Sequence, residues 1–150
     1  MSLVTLGSLQ RMQATELADK MLAAQAAGLD IETSNIAVVD VRDDDYIGGH
    51  IQGSLNFPSR SLDAMMPTLL RKLEGKETVV FHCALSQQRG PSAALRYLRE
   101  REAVADDAGK DKEQQQTVYI LDRGFVGWQE KYGPDERLTE AYRKEIWEDY

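Results

Sequence analysis

Apolar and polar positions recur along the chain with two different periods, and these periods predict its strands and helices. Short apolar runs rich in β-branched and aromatic residues predict buried strands, at 36–42, 78–83 and 117–121. Weaker patterns predict an edge strand within 3–12 and a short strand after the turn at Gly53. Apolar positions three and four residues apart predict helices, at 15–27, 61–73, 91–101, 125–132 and 138–147. Since strands alternate with helices, the sequence predicts an α/β domain with a central, mainly parallel sheet flanked by helices.

Three local features modify this pattern. Pro67 lies inside the helix predicted at 61–73 and predicts a break into two short pieces. Residues 102–116 contain no apolar run and are predicted to form a polar surface insertion. Phe125 and Trp128 are spaced as neighbours on one helix face, and we expect them to be core or pocket wall.

Composition narrows the class of protein. The length of 150 residues predicts one domain, 1–150, with a core that needs no disulfides. A single cysteine excludes a disulfide framework and a cysteine-cluster zinc site. A net charge of −7 without a basic face argues against a nucleic-acid partner. Without a secretory signal or long apolar run, we expect no membrane partner and a location in the cytoplasm, and also in the nucleus.

The candidate chemistry lies between the predicted strand at 78–83 and the helix that follows it. The only cysteine, Cys83, ends the strand, and Arg89 follows six positions later, before Gly90 and Pro91. Pro91 suits the first turn of a helix, where its missing N–H costs nothing. A lone cysteine is more often a small buried hydrophobe, but its place between a strand and a helix, with an arginine at this spacing, favours a catalytic site.

The loop from Cys83 to Arg89 can curl so that its backbone N–H groups point at one centre. Such a nest binds anions, and the positive end of the following helix adds to its field. The same field stabilises a thiolate, so Cys83 should be ionised and nucleophilic near neutral pH. Arg89 can hold two oxygens of a tetrahedral oxyanion with its planar fork of donors. These parts suit attack by sulfur on phosphorus or a similar centre, through a covalent cysteinyl intermediate.

An acid-rich turn follows the strand at 36–42. Residues 43–45 are three aspartates, and His50 lies nearby. Such a group can suggest a metal site, but one histidine makes a poor site and consecutive acids are more often a solvated rim. We therefore predict a solvated rim at 43–45. We also predict that Asp40 and His50 form a structural pair that ties the strand end to the loop.

Four segments together resemble the rhodanese-like superfamily. They are Asp40-Val41-Arg42, the run 46–56 with Gly49-His50-Ile51, the strand ending in His82-Cys83, and 121–128, a Gly-Gly-Phe-x-x-Trp variant with Arg123 replacing the first glycine. The five residues between Cys83 and Arg89 are similar to the M-phase-inducer type phosphatases and the eukaryotic arsenate reductases, especially small fungal and plant members. Sulfur-transferring members have a loop one residue shorter.

The resemblance implies a role for each site residue. Cys83 would be the nucleophile and Arg89 the oxyanion clamp. His82, Asp40 and His50 would be structural supports, and Ser86 would donate to the Cys83 thiolate or help release the intermediate. The backbone cradle would be formed by Ala84, Leu85, Ser86, Gln87 and Gln88.

The chain also differs from that branch in ways that bear on the general acid and on metal binding. The cell-cycle phosphatases have acids directly after the cysteine and directly before the arginine, where this chain has Ala84 and Gln88. No loop residue can therefore act as general acid. Either one of the acids at 43–45 reaches the site, or the substrate brings its own proton, which favours aryl phosphates. The zinc-binding cysteines of some plant relatives are absent, so we predict no metal and no resident cofactor.

The functional expectation is a phosphatase acting on a phosphorylated small molecule or a phosphoprotein. The alternative is an arsenate reductase, which needs glutathione as co-substrate and glutaredoxin as partner because the chain has no second cysteine. A non-catalytic binding module is disfavoured by the intact Cys83 and Arg89. Sulfur transfer is disfavoured by the length of the loop.

Overall fold

The computed structural model describes residues 8–107 and 116–148. Its strands are Gln10–Met12 (β1), Ile36–Asp40 (β2), His50–Ile51 (β3), Leu55–Asn56 (β4), Thr78–His82 (β5), Thr117–Leu121 (β6) and Thr139–Glu140 (β7). Its α-helices are Ala14–Ala26 (α1), Leu62–Lys72 (α2), Arg89–Asp107 (α3), Gly124–Tyr132 (α4) and Lys144–Trp147 (α5). Short 3-10 turns cover Asp44–Tyr46 and Ser59–Ser61. The predictions for residues 3–7 and 108–115 lie outside the described residues.

Five strands form one parallel sheet in the order β1-β6-β5-β2-β4. Every residue of β2 is buried, as expected for a central strand covered on both faces. In the register of the sheet, Asp40 at the end of β2 lies opposite His82 at the end of β5. The segments that follow these two residues are therefore neighbours at the carboxyl edge of the sheet, where ligands bind in α/β folds. The predicted mainly parallel α/β architecture is confirmed.

Two apolar clusters cover the two faces of the sheet. Alternate residues of the central strands belong to different clusters, with Val38 and Val80 on one face and Val39 and Phe81 on the other. The first cluster joins the sheet to α1, α4 and α5, through residues that include Leu17, Met21, Phe125, Trp128 and Trp147. The second joins it to α2 and α3, through residues that include Leu62, Met66, Leu69, Ala94 and Tyr97. The prediction that Phe125 and Trp128 are core is confirmed, since both side chains are fully buried.

The predicted break at Pro67 is wrong, because α2 runs continuously through it. Pro67 is solvent-exposed, while Leu62, Met66 and Leu69 on the same helix are buried in the second cluster. Burial of this stripe offsets the one backbone hydrogen bond that a proline removes.

The predicted helix at 138–147 is mostly wrong. Thr139–Glu140 instead forms β7, which pairs antiparallel with β3, and only Lys144–Trp147 is helical. The Thr139 hydroxyl accepts a bond from Trp128 Nε1 at 2.9 Å and donates to the carbonyl oxygen of Tyr132 at 2.7 Å. These bonds tie the segment to α4 in an extended conformation.

The insertion predicted at 102–116 starts too early and ends too late, although Val104 near its start is 52% exposed, as a surface position requires. Helix α3 continues to Asp107. Gln116 is half-buried and receives a bond from the Tyr97 hydroxyl at 2.6 Å. Its amide donates to the carbonyl oxygens of Leu73 and Lys76, at 3.0 and 2.8 Å. Although Gln116 lies in a polar stretch of sequence, its side chain is held inside the fold because it forms hydrogen bonds with all three of these partners.

Candidate active site

Cys83 lies where strand β5 meets helix α3. Strand β5 ends at His82, residues 84–88 bend, and α3 begins at Arg89. The thiol is buried, with 3% of the residue exposed, and its Sγ accepts a hydrogen bond from the backbone N–H of Gly90 at 3.3 Å. The sulfur therefore contacts the first turn of α3, whose free N–H groups and dipole favour a negative charge.

The loop 84–88 has two features that an anion-binding nest requires, a left-handed residue and N–H groups without partners. Ser86 adopts the left-handed conformation, with φ of 58°. A left-handed residue next to right-handed ones turns successive N–H groups toward one side of the chain. Within residues 8–107 and 116–148, none of the backbone N–H groups of 84–88 donates a hydrogen bond. Ser86 Oγ is buried and has no hydrogen-bond partner in the same part of the chain. These donors remain available for an oxyanion.

The start of α4 holds this loop from behind. The N–H groups of Phe125 and Val126 donate to the carbonyl oxygens of Cys83 and Ala84, at 3.0 and 2.9 Å. Gly124 precedes them with φ of 54°, and a Cβ there would lie 2.5 Å from both carbonyl oxygens. Only glycine permits this approach. Gly124 belongs to the superfamily motif at 121–128, but no local sequence signal predicts its approach to the loop 84–88.

Arg11 contacts the loop 84–88 from strand β1, and this contact is absent from the sequence predictions. Its Nη2 donates to the carbonyl oxygen of Ser86 at 3.0 Å, and its Nη1 pairs with the Asp122 carboxylate at 3.2 Å. The parallel pairing of β1 with β6 places Met12 opposite Leu121 and so brings Arg11 beside Asp122. No local sequence signal predicts this contact, because the two segments are joined only through the sheet.

Arg89 is bound by the acid-rich turn. Its Nη1 and Nη2 donate to the two oxygens of the Asp45 carboxylate, at 2.8 and 2.6 Å, and Nη1 also lies 3.4 Å from Asp43 Oδ2. The Asp45 carboxylate raises the pKa of Arg89, and the Arg89 guanidinium in turn lowers the pKa of Asp45. The predicted solvated rim is thus wrong for Asp43 and Asp45, which bind the predicted oxyanion clamp. Asp44 does face solvent, with a side chain 87% exposed, and pairs with Arg60.

The Asp43 carboxylate has further partners of its own. It accepts bonds from the Ser59 hydroxyl at 2.6 Å and from the backbone N–H of Arg60 at 3.1 Å. Partial burial acts to raise the pKa of Asp43, but Ser59, Arg60 and Arg89 more than offset this, so the pKa is lowered. Asp43 is therefore an ionised acceptor at neutral pH.

Below the acid-rich turn lies a fully buried charged group, Asp40 with Arg42. Arg42 Nη2 is 2.6 Å from Asp40 Oδ2, and Arg42 Nε donates to both carboxylate oxygens, at 3.0 and 3.1 Å. Arg42 also donates to the carbonyl oxygens of Gly49 at 2.9 Å and Asp45 at 3.4 Å. Burial acts to raise the pKa of Asp40, but the positive charge of His82, once the ring is protonated in acid, and the charge and hydrogen bonds of Arg42 outweigh it, so the pKa is lowered. The pair thereby anchors the turn that carries Asp45.

The predicted pair of Asp40 with His50 is wrong. His50 Nε2 instead lies 3.1 Å from Glu140 Oε1, across the β3–β7 pairing. Asp40 points inward from the end of β2, while His50 lies on the small second sheet, so the two side chains face different partners.

His82 lies fully buried beneath Cys83. Its Nδ1 is 3.0 Å from the Cys83 carbonyl oxygen, which can only accept, so Nδ1 carries the proton. Its Nε2 lies 3.7 Å from Asp40 Oδ2, too far for a hydrogen bond. Burial lowers the pKa of His82, which keeps the ring neutral near pH 7. His82 thus fixes the carbonyl at the start of the loop.

A groove of about 320 Å³ runs beside Arg89, between α2 and the start of α3. Its lining combines polar and apolar side chains, among them Ser59, Leu62, Gln88, Ala93 and Arg96. Among the described residues, no group of three or more His, Cys, Asp or Glu side chains could hold a metal ion. In that same part of the chain, no helix is both long and apolar enough to cross a membrane.

Comparison with known proteins shows which family the chain matches and which relatives it is similar to. The family model for the rhodanese-like domain matches residues 22–131. A dual specificity phosphatase Cdc25 of Arabidopsis thaliana is 41% identical over 108 residues, which cover 71% of this chain and 70% of the relative. Arsenate reductase 2.2 of rice is 43% identical over 107 residues, covering 71% and 78%. The structure of Ygr203w, a yeast protein tyrosine phosphatase of the rhodanese family, matches with a TM-score of 0.75 and 32% identity, covering 96% of this chain and 99% of the other.

Proposed function

The chain belongs to the rhodanese-like domain family, and from this premise we propose that it is a cysteine-dependent phosphatase of the dual-specificity type. Its substrates are phosphotyrosine-like or small aryl phosphate monoesters. The observation that carries this proposal is the loop from Cys83 to Arg89, in which N–H groups without partners in the described chain curve between a sulfur and a guanidinium.

The reaction has two displacements at phosphorus. The Cys83 thiolate attacks, an S–P bond forms, and the P–O bond to the aryl group breaks. The backbone N–H groups of 84–88 and the Arg89 guanidinium stabilise the charge on the transferring oxygens. Water then attacks the cysteinyl phosphate, the S–P bond breaks, and inorganic phosphate leaves as the thiolate returns.

The leaving group takes its proton from the substrate monoanion rather than from the protein. Ala84 directly follows Cys83 and Gln88 directly precedes Arg89, and neither side chain can act as an acid that protonates the leaving group. Asp43 and Asp45 have lowered pKa values and bind Arg89, so they are ionised and engaged. Phosphate monoesters lose their second proton near pH 6. Good leaving groups, such as nitrophenolate, therefore react best.

The groove beside Arg89 suits the organic part of the substrate. Leu62 and Ala93 contribute only a small apolar part of the lining, with 6% and 3% of each residue exposed, while Gln88 and Arg96 offer polar contacts at its margin. A phosphorylated small molecule or an exposed phosphotyrosine side chain of a protein fits this mixed lining. The location in the cytoplasm and nucleus stays a prediction.

Arsenate reduction is the second candidate, favoured by the rice relative named arsenate reductase and compatible with the single cysteine of the chain. The Cys83 thiolate would displace an oxygen of arsenate, which leaves as water, and glutathione would then attack the adduct. Reduction of As(V) to As(III) takes two electrons, which two thiols supply as they join in a disulfide. Because Cys83 is the only internal thiol, glutathione is the co-substrate and glutaredoxin reduces the mixed disulfide.

The test uses one preparation for both reactions. Cys83→Ser should abolish hydrolysis of p-nitrophenyl phosphate while the melting temperature stays close to that of the wild type. Arg89→Ala should lower kcat/KM by a factor on the order of 10² to 10³, since a charge-assisted clamp is lost. Arg71→Ala, which removes an exposed arginine of α2, is the control. Turnover that persists in Cys83→Ser would refute the mechanism.

The same preparation is then assayed for glutathione-dependent arsenate reduction, with and without glutaredoxin. Phosphate release without arsenite formation supports the phosphatase alone. Arsenite formation without phosphate release would replace the first proposal with the second.

A further inference from the structure

The contacts of Arg89 leave one particular edge of its guanidinium available. A guanidinium has five N–H donors in a fixed plane. Nη1 uses both of its hydrogens, on Asp45 Oδ1 at 2.8 Å and Asp43 Oδ2 at 3.4 Å, and Nη2 uses one on Asp45 Oδ2 at 2.6 Å. Within the described residues, Nε and the second hydrogen of Nη2 have no acceptor. These two donors point in parallel along the same side, which is the geometry that binds two oxygens at once.

The acceptors that occupy the distal donors are themselves fixed. Asp45 Oδ1 also accepts the backbone N–H of Asp43 at 3.1 Å, and the Asp45 carbonyl oxygen accepts from the buried Arg42 at 3.4 Å. Asp43 is held by the Ser59 hydroxyl at 2.6 Å. The carboxylates therefore belong to the framework at the edge of the sheet and are not free surface side chains.

We propose that Asp45, assisted by Asp43, is a positioning residue that holds Arg89 by its distal donors and presents the Nε–Nη2 edge to the oxyanion. The inference rests on the proposed oxyanion site at the loop 84–88. Bonding at the distal end orders the Arg89 side chain before the oxyanion binds. The side chain therefore loses less conformational entropy on binding than a free arginine would. The carboxylate and the oxyanion use different edges of one guanidinium, so they bind together and do not compete.

The decisive variants are Asp45→Asn and Asp44→Asn. Both remove one negative charge from the same turn, but Asp44 is 87% exposed and pairs with Arg60, not Arg89. Orthovanadate binding is measured by calorimetry, and hydrolysis of p-nitrophenyl phosphate is measured in parallel. We expect Asp45→Asn to weaken vanadate binding about tenfold, as expected when a long side chain must again be ordered on binding. Asp44→Asn should stay within about twofold of the wild type, and Asp45→Glu should recover part of the loss.

A double-mutant cycle separates positioning from a general structural effect. Arg89→Lys keeps a positive charge but has no planar edge to present. If Asp45 acts through that edge, adding Asp45→Asn to Arg89→Lys should cause no further weakening of vanadate binding. Thermal unfolding of each variant checks that the fold persists.

Two results would overturn the proposal. Tighter vanadate binding by Asp45→Asn would mean that the carboxylate competes with the oxyanion. An equal loss in the Arg89→Lys background would mean that Asp45 does not act through the guanidinium. The outcome is distinct from that of the proposed function, since wild-type protein that binds vanadate but hydrolyses no aryl phosphate would refute the phosphatase and leave the positioning role standing.

Discussion

Replacement of Arg42 by alanine should cost a large part of the stability of the fold. Both Arg42 and Asp40 have fully buried side chains, and three N–O distances of 2.6 to 3.1 Å join them. The guanidinium also lies 4.4 Å from the Phe125 ring centroid and 5.2 Å from that of Tyr46. Arg42→Ala removes the cation and leaves the Asp40 carboxylate buried beside neutral His82.

The magnitude follows from that stranded charge. Removing one partner of a buried ion pair costs about 3–5 kcal/mol, because the other charge stays desolvated and unpaired. The total free energy of unfolding of domains of this kind is about 5–15 kcal/mol. The variant should therefore lose about a fifth or more of its free energy of unfolding near pH 7. The loss should shrink at acid pH, since the pKa of Asp40 rises once Arg42 is gone and protonation then relieves the buried charge.

Urea unfolding followed by tryptophan fluorescence measures this change. Arg143→Ala is the control, because Arg143 is 65% exposed and forms a surface pair with Glu145 at 3.0 Å. We expect the control to lose at most about 0.5 kcal/mol. The double variant Asp40→Asn with Arg42→Met removes both charges and should recover most of the loss. A loss below about 1 kcal/mol in Arg42→Ala would refute the argument that this buried pair anchors the edge of the sheet.

Three further predictions concern the groups around the loop. Burial lowers the pKa of His82 below its ordinary 6.5, so the unfolded chain takes up a proton first as pH falls. The free energy of unfolding should therefore decline below about pH 6.5, by at most about 1.4 kcal/mol per pH unit. The variant His82→Gln should flatten this slope. Gly124→Ala should reduce p-nitrophenyl phosphate turnover at least about tenfold, since its Cβ would meet two loop carbonyl oxygens at 2.5 Å; Gly28→Ala, also at positive φ but with open space around it, should leave turnover unchanged. Arg123→Gly should raise the free energy of unfolding by up to about 1 kcal/mol, because Arg123 is left-handed with φ of 64°; a lower midpoint in urea would contradict this.

The strand, loop and helix around Cys83 could be predicted from the sequence because they depend on local patterns. The run before Cys83 is apolar and β-branched, and Gly90-Pro91 suits the first turn of a helix, so the strand, loop and helix follow from neighbouring residues. The helix starts two residues earlier than expected, at Arg89.

What the sequence analysis missed depends on which strands are adjacent. Asp45 and Arg89 are 44 positions apart and meet because β2 lies beside β5. Three consecutive aspartates are typical of an exposed turn, and only the pairing of strands brings a cation to two of them. The same reason explains Arg11, which reaches the loop only because β1 joins β6.

Short elements escaped prediction for a different reason. Strands β3 and β7 have two residues each, too few to show a period. The apolar residues after Leu138 therefore predict one long helix, which the structure replaces with β7 and the short helix α5. In the structure, Thr139 pairs with Ile51, and the Trp147 indole donates to the Gly48 carbonyl oxygen at 2.9 Å.

Because β1 pairs with a strand that lies late in the sequence, β1 can join the sheet only after that strand has been synthesised. Within the described residues, β1 pairs with one strand only, β6, and Gln10 lies opposite Tyr119 in that parallel ladder. On the ribosome, synthesis proceeds from the N-terminus, so β1 has no mate until nearly the whole α/β unit has been made. Contacts this distant in sequence form slowly, and until β1 docks, the β6 edge is open to strands of other nascent chains.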